Sequence, residues 1–165
     1  MMSVHGITLR VSRVLSETAH EVAARRCSRE LQACDILFSV AIGYPGESAV
    51  ASRILGVTYR DLMFSVLPQM GAFVTSVPTK GQLIPGIEGN KILETALWCA
   101  ETRGAEICGL GDLFYASCYQ SLGDLLPGSA FDLDGDRVGS LWILAEAFGE
   151  RSTAEKQTDE YFEKS

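Results

Sequence analysis

Histidine is scarce in this chain: His5 and His20 are the only two among 165 residues. That leaves little room for His-ligated zinc or for a serine or cysteine nucleophile driven by an imidazole base. Basic side chains are also few. Lys and Arg number 14 against 21 Asp and Glu, for a net charge of -7. Nucleic-acid binding requires clustered cations to displace counterions from phosphate. The densest basic group, Arg25, Arg26 and Arg29, is flanked by Glu21 and Glu30, so no nucleic-acid partner is expected. No apolar run approaches the roughly 20 residues of a spanning helix, and the opening MMSVHGITLRVS lacks the apolar stretch of a signal peptide. No membrane association is expected. The five cysteines, Cys27, Cys34, Cys99, Cys108 and Cys118, are odd in number and never spaced as CxxC. Such usage fits buried thiols in a reducing compartment and predicts a cytoplasmic, metal-independent protein without a disulfide framework.

What is present is apolar. The chain is 47% hydrophobic and 21% charged, enough to fold around a substantial core and apolar enough for an oligomer subunit. Residues 1–149 read as a single domain and 150–165, ERSTAEKQTDEYFEKS, as a polar tail. From Val14 to Cys34 apolar residues recur at helical steps. Ser48 to Gly56, Val57 to Pro68, Lys91 to Gly104 and Leu113 to Leu126 give further helices, with Gly56 and Gly104 as stops. Ile36–Ile42 and Val138–Ala145 are nearly unbroken apolar runs, predicting strands covered on both faces. Ala72–Pro78, Leu83–Ile84 and the stretch beginning at Glu106 suggest shorter strands. The expected fold class is therefore α/β: one compact domain whose mixed, largely buried sheet is covered by helices. There is no repeat at a fixed period, although helix, strand, glycine loop and helix succeed one another twice, over Val14–Leu55 and Ile92–Leu126.

The stretch VLSETAHEVAARRCSRELQACDILFSVAIGYPG (Val14–Gly46) resembles a helix–strand–glycine-loop segment of CinA-type amidohydrolase domains. Its loop has Ile42-Gly43 where that family carries a polar Thr-Gly pair, and no residue role is transferred. The acidic turn at Asp132, Asp134 and Asp136 begins like an EF-hand loop. Arg137 then replaces the bend glycine and Ile143 the closing glutamate, so a hairpin turn at Asp134-Gly135 is the better reading.

Two glycine segments attract ligand chemistry. In GYPGES, Gly43 and Gly46 permit close backbone approach, while Glu47 and Ser48 begin a helix whose N–H groups suit an anion. In GLGD, Gly109 and Gly111 precede Asp112, but Phe114 stands where a dinucleotide fingerprint needs its third glycine. GxxxxGK[ST] is absent. Ser117 and Cys118 are the nucleophile candidates. Asp35, Glu47, Glu88, Glu94 and Asp112 are the carboxylates near element ends, and Lys80 and Lys91 are potential anion clamps. Trp98 and Trp142 read as core, and Tyr115 and Tyr119 as core-edge aromatics. The expectation is a small-molecule enzyme or ligand-binding protein, with an anionic metabolite held by Gly43, Gly46, Ser48, Gly109 and Gly111. Glu47, Asp112, Ser117 and Cys118 are its candidates for chemistry. Two alternatives accompany it: a non-catalytic assembly or regulatory subunit acting through a partner or its own copies, and a serine or cysteine hydrolase. No cofactor is specified by any motif.

Overall fold

Asp35 opens a helix, not a strand. A short apolar run fits a strand covered on two faces or a helix enclosed on all sides, and periodicity does not separate the two. In the computed structural model, which describes residues 6–25, 30–70, 86–122 and 137–149, the run forms a helix over Ala33–Gly43. The Asp35 carboxylate accepts the Gln32 backbone N–H at 2.9 Å and caps the first turn. The second predicted strand, Val138–Ala145, is likewise a helix, Arg137–Ala147. The α/β expectation is thus overturned. Among the described residues the only sheet is a parallel pair, β1 (Gly6–Ile7) with β2 (Ile107–Cys108). The Ala72–Pro78 and Leu83–Ile84 strands, the Asp134-Gly135 turn and the 150–165 tail lie outside the described residues.

The remaining elements are helices α1 (Leu9–Arg13), α2 (Ala19–Arg25), α3 (Ala33–Gly43), α4 (Pro45–Ile54), α5 (Tyr59–Val66), α6 (Gly86–Thr102), α7 (Leu110–Leu122) and α8 (Arg137–Ala147). A π turn, Val14–Thr18, joins α1 to α2, and a 3-10 turn, Leu67–Met70, follows α5. Thr8 caps α1 through its side chain, and its N–H donates to the Cys108 carbonyl at 2.9 Å, prolonging the strand pair into the first helix. Thr58 caps α5. Gly104, at φ 78, terminates α6 as its sequence position predicts.

The helices on either side of α5 follow one another in a similar order. Among the described residues a long helical stretch, a short non-helical step, a buried helix and a last helix run from Leu9 to Leu55, and again from Gly86 to Phe148. The correspondence is atomic in places. Gly109 donates its N–H to the Asp112 carboxylate at 2.9 Å, as Gln32 does to Asp35. Both units close on a positive-φ glycine, Gly56 and Gly149, whose N–H reaches the carbonyl three residues back at 2.9 Å. Glu17-Thr18-Ala19 matches Glu94-Thr95-Ala96. Before that point the buried residues Val11 and Val14 match Gly89 and Ile92 only if one residue is skipped. The π turn absorbs it: Ala19 N–H bonds to the Val14 carbonyl, five residues back.

α7 is the centre. Residues 111–118 are all buried, so this stretch of the helix has no solvent face, and α7 touches α1, α3, α5, α6 and α8. A helix apolar on every side survives only when enclosed in this way. The two units meet like to like, α3 against α7 and α4 against α8. Phe114, Leu110, Leu113, Ile36, Leu37 and Phe148 are among the largest side chains of this common core.

Candidate functional site

The glycine segments resolve into helix junctions. Gly43 ends α3, Tyr44 breaks the chain at φ -134, and Pro45 starts α4 at once. GYPGES is therefore a kink of one residue between helices. Pro fits there because its missing N–H has no partner to lose in a first turn. The Ser48 N–H donates to the Tyr44 carbonyl at 2.8 Å, and its buried hydroxyl donates to the Val40 carbonyl at 3.2 Å, stitching the two helices together. Glu47 is half-buried in the first turn of α4, where the helix dipole favours a carboxylate. Space above Gly43 and Gly46 is open: a Cβ at either meets nothing within 4 Å.

At the second segment Asp112 is enclosed. Its carboxylate accepts Nε and Nη2 of Arg103 at 2.9 and 2.8 Å in addition to the Gly109 N–H. Burial pushes the Asp112 carboxyl up from its ordinary range, while Arg103 and Gly109 pull it down. The Arg103 guanidinium lies 5.1 Å from the Trp142 ring centre, so one buried cation joins α6, α7 and α8. Gly111 faces α8 so closely that a Cβ would stand 2.9 Å from the Ala145 nitrogen and the Leu144 carbonyl. Its smallness serves helix crossing. Between the two segments stands Phe148, whose ring packs on Tyr44 at 6.5 Å and Phe114 at 5.5 Å.

Ser117 and Cys118 point into the core. The Ser117 hydroxyl donates to the Phe114 carbonyl of its own helix at 3.0 Å. Cys118 is fully buried, and burial pushes its thiol up, away from the thiolate. His20 is half-buried on α2, and His5 and Lys80 lie outside the described residues. Asp35 caps α3, Asp112 caps α7, and Glu88 and Glu94 are on α6, so these carboxylates serve different elements. Among the described residues no group of three or more His, Cys, Asp or Glu is placed to hold a metal ion, and no helix is long and apolar enough to cross a membrane.

A different place is concave. Thr95 and Trp98 of α6 and Tyr115 and Tyr119 of α7 line a cleft of about 200 Å³. Trp98, expected in the core, is 44% exposed, and Tyr119 is 49% exposed. Tyr115 is buried at the cleft floor, with its ring 6.5 Å from that of Tyr119 and only 15° from parallel. Helical spacing explains the assembly. Tyr115 and Tyr119 are one turn apart on α7, and Trp98 follows Thr95 at a three-residue step on α6. The α6 stripe held the missed signal: Ile92, Ala96, Cys99 and Ala100 are the buried face, and Trp98 falls off it.

No family model and no curated protein matches the chain. The strand on which the likeness to CinA-type domains depended is helix α3.

Proposed function

We propose that the chain is a non-catalytic interaction module that binds another polypeptide at the aromatic cleft of α6 and α7. The observation carrying this reading is the cleft itself: two half-exposed aromatics around a buried tyrosine on two packed helices. Trp and Tyr dominate protein contact surfaces because they supply large, stiff area with little entropy to lose. Size favours a side chain over a metabolite, since small-molecule pockets enclose roughly 300–1,000 Å³ and this one is about 200 Å³. The polar groups that would serve a reaction are engaged within the fold: Ser48 on Val40 and Asp112 on Arg103 between segments, and Ser117 on Phe114 within α7.

Two screens on the full chain test the reading. A peptide array should give binders whose signal disappears in Trp98→Ala while the melting temperature stays within a few degrees of the parent. A thermal-shift panel of nucleotides, phosphorylated metabolites and acyl donors should give no specific stabiliser. A metabolite that stabilises the parent and Trp98→Ala equally would overturn the proposal in favour of a ligand site elsewhere.

A further inference from the structure

We infer that the chain's own tail occupies the cleft through the aromatic pair Tyr161-Phe162, which a binding partner has to displace; this regulation rests on the interaction reading above. The cleft suits an apolar ring. Its lining residues, Thr95, Trp98, Tyr115 and Tyr119, carry no charge, and its volume of about 200 Å³ has room for one large side chain. Aromatic rings pair offset or edge-on at centre distances of roughly 4.5–7 Å, and Trp98 and Tyr119 present half-exposed rings for such contacts.

The sequence offers few such rings. Outside the described residues the aromatics are Phe73, Phe131, Tyr161 and Phe162, and only the last two are adjacent. They are also the only large apolar side chains of residues 150–165, and Asp159, Glu160 and Glu163 surround them, against Lys164. The border of the cleft answers that charge. Lys91 is exposed on the side of α6 that carries Thr95 and Trp98, reached from them by steps of four and three. Glu88 lies a turn farther from the rings. Phe73, between Ala72 and Val74, has no acidic neighbour. Reach is ample. α8, from which residues 150–165 continue, packs against both α6 and α7. The stretch from Gly149 to Tyr161 spans up to about 40 Å when extended, whereas α6, of 17 residues, is about 26 Å long. A tether of this kind sets an effective concentration on the order of millimolar. A contact too weak to retain a free peptide is therefore populated in the intact chain.

The test compares the full chain with its double variant Tyr161→Ser, Phe162→Ser. The readout is the indole N–H NMR signal of Trp98, assigned by its loss in Trp98→Phe; Trp142, stacked on Arg103, is the control that the fold is intact. The double variant should move the Trp98 signal and leave that of Trp142 in place. The free peptide Ac-QTDEYFEKS-amide, added at millimolar concentration, should return it, and Lys91→Glu should weaken that return. Peptides selected on the array should bind the double variant roughly three- to tenfold tighter than the parent. A Trp98 signal that stays put in the double variant, or moves only with Phe131→Ser, while the array yields binders, overturns the tail as occupant and leaves the interaction reading standing. A parent signal that shifts to the variant's position on dilution puts the tail of a second copy in the cleft and overturns the intramolecular contact. An array devoid of binders for parent and double variant alike overturns both readings.

Discussion

Asp35 and Asp112 occupy the same place in two copies of one folding unit, each accepting the backbone N–H three residues earlier. Around Asp112 the second hydrogen-bonding partner is a buried guanidinium held by both its Nε and Nη2.

Removing one member of a buried ion pair strands the other charge, at a cost of about 3–5 kcal/mol. Asp112→Ala and Arg103→Met should each lower stability by about that amount in urea titrations. The double variant Arg103→Met with Asp112→Leu should recover part of the loss, because neither charge then remains in the core. Additive losses in the double variant would show that the two residues act independently.

The glycines separate cleanly. Gly111→Ala forces a methyl into the α8 backbone at 2.9 Å and should cost about 1–3 kcal/mol. Gly46→Ala, in open space within α4, should stabilise by up to about 1 kcal/mol through helix propensity. Thermal melts of the two variants should move in opposite directions. Equal shifts would contradict the tight crossing of α7 and α8.

Cys34, Cys99, Cys108 and Cys118 are buried. Native protein treated with iodoacetamide should modify Cys118 only at the rate of unfolding, followed by mass spectrometry of its peptide. Rapid stoichiometric labelling of Cys118 in the folded chain would revive the thiol hydrolase reading.

Deleting Ser16 should be tolerated. It removes the extra residue of the π turn and restores the four-residue step between buried positions that the second unit uses at Ile92 and Ala96. The expected loss is below about 2 kcal/mol, whereas deleting Ala24, in the regular part of the same long helix, rotates buried residues out of register. Circular dichroism and urea titration compare them. Unfolding of the Ser16 deletion alone would refute the one-residue insertion.

Much of the helical layout is readable from the chain. The stripe of Ile92, Ala96 and Ala100 with Gly104 behind it specifies α6, and the helices expected from Ser48, Val57 and Leu113 overlap α4, α5 with its 3-10 turn, and α7. The failures at Ile36–Ile42 and Val138–Ala145 share one cause: a segment surrounded by partners loses the polar face that distinguishes a period of 3.6 from one of 2. The helix expected over Val14–Cys34 also stops short, at Arg25, with Leu31 and Gln32 outside any helix. The duplication was visible only as a loose echo, because the single residue in the π turn and the longer segment between α7 and α8 displace any constant period. At the site, Gly111 reads as ligand chemistry until α8 is seen against it, and the tyrosines gain meaning only when α6 is laid beside α7.

Because residues 111–118 of α7 are buried among helices from both parts of the chain, the two halves share one interior. Cutting the chain between Met70 and Gly86 would leave α7 bare along the flank that α1, α3 and α5 cover. The halves would be complementary pieces of one object, each recovering its shape only on meeting the other.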